Sequence, residues 1–159
     1  MARRDLTERE PETSEAIRLF NAFSQLLYES PGNLLIDLTD NAGYRFDVEI
    51  ERSGSEGVGS MKIFCYDLML SRLWAHRDES VGFLVHDSSL YDPVDERQVA
   101  RALRLAAEQS TEFGFQYICM LNSDKLPEAR FMDGFDVDAH VAVTLSDETP
   151  EQSLLGIRF

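Results

Sequence analysis

Two short apolar runs separated by one amphipathic helix constrain this chain's fold more than any other feature. The first, VGFLV, spans 81–85 and stops at His86-Asp87-Ser88. The second, FQYICML, spans 115–121 and stops before Asn122-Ser123-Asp124. Short, continuous, β-prone runs of this kind read as strands buried on both faces. Between them, Asp95 to Phe113 carries Val99, Leu103, Leu105 and Ala106 at helical spacing, with Arg and Glu on the opposite side. Strand, helix and strand in that order imply a parallel α/β sheet. The expected fold class is therefore α/β, a mixed, largely parallel sheet with flanking helices.

The segments before this unit add to it. From Thr13, apolar Ile17, Phe20, Phe23, Leu26 and Leu27 recur at spacings of three and four, which predicts a helix over 13–29. Thr13 or Ser14 would cap it, and Ser30-Pro31-Gly32-Asn33 would end it. LLIDLTD and YRFDVEI alternate apolar and polar residues around Asn41-Ala42-Gly43, the pattern of an N-terminal β-hairpin. Glu51 to Ser60, ERSGSEGVGS, is a serine/glycine loop that runs into MKIFCYDLMLSRLW, expected as a buried helix from about Ser60 to Ala75. Residues 139–145 and 154–159 are expected as late strands. Residues 1–12 read as a disordered leader and 13–159 as a single α/β domain without internal repeats.

Charge excludes some partners. The chain has 29 Asp and Glu against 15 Lys and Arg, a formal charge of −14. That excess argues against non-specific binding to nucleic acid or anionic lipid through this segment alone. Cys65 and Cys119 sit in apolar surroundings and read as reduced core thiols. No signal peptide and no membrane-length apolar run is seen, so a cytoplasmic location and no membrane contact are expected.

The chemistry is expected where the strands end. In an open parallel sheet, ligands bind beyond the carboxyl ends of the strands. Asp87 falls at one such end, and Asn122 and Ser123 fall at the other. A carboxylate at the tip of a buried strand is well placed for Mg²⁺, which takes one or two carboxylates together with phosphate oxygens. Capping of the following turn is the simpler role for Asp87. The Gly/Ser loop before a helix is a candidate phosphate site, because free backbone N–H groups and the helix dipole converge there.

Four segments, GSEGVGSMKIFCYDLML, FLVHDSSLYDPVDERQ, GFQYICMLNSDKLP and LLGIRF, together resemble a prokaryotic family catalogued only as a domain of unknown function. That family forms the C-terminal end of coiled-coil ATPases similar to the structural-maintenance-of-chromosomes, RecN and RecF proteins. The resemblance covers roughly Ala16 to Phe159 and implies the C-terminal lobe of an ABC-type ATPase head, with the first helix as the stub of a coiled-coil arm. It implies that Asp87 is the Walker B carboxylate for Mg²⁺, and that Ser88 stands where most such ATPases carry a catalytic glutamate. It implies that Asp92 is the D-loop aspartate and that Ser53, Gly54, Ser55 and Gly57 belong to a signature-like loop. Asn122 or Ser123 would hold the switch position, where histidine is common. No G-x-x-x-x-G-K-[ST] loop occurs anywhere in the chain, so nothing here cradles the β- and γ-phosphates. ATP and Mg²⁺ are then expected only in a composite site shared with an N-terminal ATPase lobe, another head chain or a second copy of this chain. DNA enters by fold-level analogy alone.

Other chemistries fit less well. His86-Asp87 has the look of a metal pair, but His76 and His140 supply no further ligands at metal-site spacing. Asp133, Asp136 and Asp138 lack the EF-hand spacing and its closing glutamate. Ser88 and Ser89 follow a strand without the G-x-S-x-G elbow of serine hydrolases. Phe64, Tyr66, Phe113, Phe115 and Tyr117 follow helix and strand periods and read as core. The remaining alternative is a catalytically inactive interaction domain that keeps the fold only.

Overall fold

The computed structural model describes residues 7–30, 32–39, 43–49, 55–127, 134–146, 148–153 and 156. Its main elements are α1 (Glu10–Tyr28), β1 (Asn33–Thr39), β2 (Gly43–Glu49), α2 (Glu56–Trp74), β3 (Phe83–His86), α3 (Glu96–Phe113) and β4 (Gln116–Cys119). The fold is mixed α/β with an N-terminal antiparallel hairpin. Among the described residues the strands form two separate two-stranded sheets, β1 with β2 antiparallel and β3 with β4 parallel.

Helix boundaries follow their caps. α1 begins before Thr13 because Pro11 occupies its first turn, where a fixed φ and a missing N–H cost nothing. Glu10 and Glu12 face the positive end of its dipole, and the Thr13 hydroxyl donates to Arg9 O at 2.9 Å rather than capping. α2 also begins earlier than expected, because Ser55 caps it by accepting from the Val58 N–H. Half of the serine/glycine stretch is therefore the first turn of a helix. α3 starts where expected, with Asp95 accepting from the Arg97 N–H, and ends at Gly114 in a left-handed C-cap, φ +71°.

One cluster of buried side chains joins the three helices. Leu19, Phe20, Phe23 and Leu27 of α1 meet Met61, Phe64, Cys65 and Leu68 of α2 and Ala102, Leu105 and Ala106 of α3. Arg101 fastens α3 to the end of α1, donating to Leu27 O at 3.3 Å and to the Glu29 carboxylate at 2.6 Å. Leu34 of the hairpin is buried on this core, with Ile36 and Val48 packed beside it.

β3 departs from expectation in one respect that matters. It was expected to be buried on both faces, yet Phe83 is 52% and Val85 42% exposed. Leu84 and His86, on the opposite face, point to the helices. The ladder starts only after Gly82, which takes a positive φ of 73°, and the Gln116 N–H closes onto Gly82 O at 2.8 Å. Residues 139–145 are not a ladder strand: 138–140 make a single 3₁₀ turn, and 141–146 belong to no helix, turn or sheet. The expected strand at 154–159 and the leader's residues 1–6 lie outside the described residues.

Candidate functional site

β3 and β4 are parallel neighbours with Val85 opposite Ile118 and His86 opposite Cys119. Asp87 and the Met120–Asn122 segment therefore leave the sheet at the same edge, and the Met120 N–H donates to His86 O at 3.0 Å. This is the edge at which open α/β sheets hold ligands.

Asp87 is exposed there. Its Oδ1 accepts from the Ser89 hydroxyl at 2.5 Å and from the Ser89 N–H at 2.9 Å, capping the short 3₁₀ turn Ser88–Leu90. Those bonds, the hydroxyl first, hold its carboxyl below the ordinary carboxylate range, so it is an anion at neutral pH. Ser88 is half-buried, and its carbonyl accepts from the N–H groups of Tyr91 at 2.9 Å and Asp92 at 3.1 Å. Asp92 is exposed on the same turn.

The N-terminus of α2 lies against that turn. Gly57 is buried so close to Pro93 that an added Cβ would sit 2.4 Å from Pro93 O. The Tyr28 hydroxyl donates to Gly57 O at 3.4 Å, pinning the same spot from α1. Ser55, the cap, and Gly57 are thus next to the Asp92-Pro93-Val94-Asp95 turn, while Ser53 and Gly54 fall outside the described residues. Asn122 and Ser123 are exposed at the start of a 3₁₀ turn over Ser123–Lys125. Among the described residues, no hydrogen bond joins them to Asp87.

Directly beneath the edge lies a polar chain in which Tyr117 and Cys119, expected as core, join His86, while Asp67 and Tyr91 were missed by sequence reasoning. His86 is buried, with Nε2 3.2 Å from Asp67 Oδ2 and Nδ1 2.9 Å from the Tyr117 hydroxyl. The carboxylate accepts, so Nε2 carries the hydrogen. Nδ1 bonds to the Tyr117 hydroxyl, whose oxygen bonds to the Tyr91 hydroxyl. Cys119 lies beside both tyrosines on the same buried face. Burial pushes the Cys119 thiol up to about 11 and raises both tyrosines further. All three stay protonated at neutral pH, so the chain holds the strand ends in place and supplies no nucleophile. Asp67 and Tyr91 are ordinary surface-type residues in sequence. The available signal was His86 itself, which needs partners for both ring nitrogens when buried.

Among the described residues, no group of three or more His, Cys, Asp or Glu is arranged to hold a metal ion. No helix among them is long and apolar enough to cross a membrane.

Residues 23–159 match a family model described as an uncharacterised protein conserved in bacteria, DUF2326, and the chain belongs to that family. No curated protein and no solved structure matches it.

Proposed function

We propose that this chain is one lobe of a composite nucleotide-binding head, similar to the C-terminal lobe of coiled-coil ATPases of the structural-maintenance-of-chromosomes and RecN type. The observation that carries the reading is a parallel strand pair with one apolar face open. Parallel sheets occur almost only with both faces covered. Here α2 and α3 cover one face of β3 and β4, while Phe83 and Val85 stand exposed on the other, with Val81 and Met120 beside them. A face that the described residues leave open is where another lobe or chain would pack.

The edge residues fit the same reading. Mg²⁺ usually keeps water and phosphate ligands and asks the protein for one or two carboxylates. A single ionised Asp87, with no protein cage around it, matches that demand. Mg²⁺ would supply charge neutralisation to bound phosphates. Ser88, in place of a glutamate, leaves the attacking water without a carboxylate base at that position, so nucleotide binding outruns hydrolysis. Asp92 and Ser55 are exposed on either side of the buried Gly57–Pro93 contact and would face the partner. The phosphate cradle must come from that partner, as must any DNA contact.

A second reading is favoured by the Ser89 bonds to Asp87. They cap its turn, which is all that an inactive interaction domain requires of it. Calorimetry of ATP·Mg²⁺ separates the two, on the chain alone and after addition of an N-terminal ATPase lobe from the same genome. The composite reading expects binding only in the mixture, and its loss in Asp87→Asn with melting close to wild type. Binding in neither sample, with Asp87→Asn lowering the melting temperature, leaves the interaction domain.

A further inference from the structure

Residues 141–145, Val-Ala-Val-Thr-Leu, have the composition and alternation of a strand but no ladder partner among the described residues. Val141, Val143 and Leu145 are 47%, 66% and 46% exposed. The Val141 N–H closes the preceding 3₁₀ turn onto Asp138 O at 3.1 Å, and Val141 itself is extended, φ −76° and ψ 103°. Beyond it, no backbone group of 142–145 takes part in a hydrogen bond among the described residues. The segment is framed, with Asp138–His140 turned before it and the Ser146 N–H closed onto Gln152 O at 3.0 Å after it. An apolar, β-branched segment with open backbone groups is a template for pairing.

We infer that residues 141–145 are a docking strand that joins the free edge of another protein's sheet, one bearing lysine or arginine beside the pairing positions. Charge selects this occupant over a second copy. Antiparallel self-pairing centred on Val143 would bring the flank that carries Asp138 in one copy near the flank that carries Glu148 in the other, acid near acid at both ends. Asp136 and Glu151 extend the acidic flanks. The chain's charge of −14 adds repulsion between copies and attraction for a basic edge. Main-chain hydrogen bonds would supply affinity, and the alternating Val141, Val143 and Leu145 would supply register. The inference stands apart from the nucleotide site and does not depend on it.

The test uses the full ¹⁵N-labelled chain and synthetic peptides with a Val-Thr-Val-Thr-Val centre, one ending in lysines and one in glutamates. The lysine peptide should shift the amide signals of 141–145 and slow their hydrogen exchange. The glutamate peptide should bind about tenfold more weakly or worse. Val143→Pro, which removes a ladder donor, should abolish the response while leaving the melting temperature unchanged. Val143→Thr should retain it. Three results overturn the inference: amides of 141–145 already protected in the free chain, an equal response to both peptides or to neither, or a dimer in sedimentation that Val143→Pro dissolves.

Discussion

Gly57 shows how closely the site elements are packed. Its α-hydrogen faces Pro93 O, and a methyl there would meet backbone, which cannot swing aside as a side chain does. Gly57→Ala is therefore expected to destabilise the chain by about 1–3 kcal/mol, the usual cost of overpacking. Gly59, one half-turn on, has nothing within 4 Å of an added Cβ. Gly59→Ala should instead stabilise by up to about 1 kcal/mol, the helix propensity gained. Urea denaturation of both variants checks the pair, and equal effects would mean that α2 does not abut the Asp92–Asp95 turn. The two glycines are indistinguishable in GSEGVGS. The serine/glycine stretch reads as a phosphate loop from composition alone, yet one of its glycines serves packing and its Ser55 serves capping. Asp87 is similar: its place at the strand end was legible, but its Ser89 partner was not, because an aspartate two residues before a serine signals a turn as readily as a ligand.

Elements were legible where their own residues decide them. α3 has its cap, its stripe and its terminal glycine in sequence, and it begins within one residue of expectation. Asp95→Ala, which removes the cap accepted from Arg97, is expected to cost about 1 kcal/mol, measured as a lower urea midpoint with an unchanged slope. A change in slope would place the effect in the unfolded state instead. α1 and α2 start several residues early because Pro11 and Ser55 are stronger start signals than the apolar period that suggested Thr13 and Ser60. The strands were less legible. β3 and β4 hold four residues each, and their hydrophobic continuity reported intrinsic apolarity rather than burial. A continuous run means two buried faces only if something covers both, and the covering layer is not a property of the strand. Residues 139–145 failed for the same reason: alternation gives the capacity to pair, but a ladder needs a neighbour.

At the scale of the whole molecule, the open face of β3 and β4 and the polar chain beneath it divide the sheet into a finished side and an unfinished one. Leu84, His86, Tyr117 and Cys119 face a core that is closed and hydrogen-bonded. Phe83 and Val85 face solvent. Substitutions on the two sides should separate stability from assembly. Phe83→Ser with Val85→Thr removes apolar surface of which the isolated chain leaves about half exposed, 52% at Phe83 and 42% at Val85, so its unfolding free energy should fall by only about 1 kcal/mol. Tyr117→Phe, on the closed side, strands His86 Nδ1 and the Tyr91 hydroxyl and should cost about 1–3 kcal/mol. In the mixture with an N-terminal ATPase lobe the order should invert. The double variant should lose association by tenfold or more, on the order of the 1.4 kcal/mol that a decade represents, because the interface would lose a Phe and a Val from its centre. Tyr117→Phe should associate normally at temperatures where it is folded. Sedimentation of each mixture, read beside urea titrations of each chain alone, gives both quantities. A double variant that unfolds easily by itself would show that the face is covered within this chain, and the case for a missing lobe would fall with it.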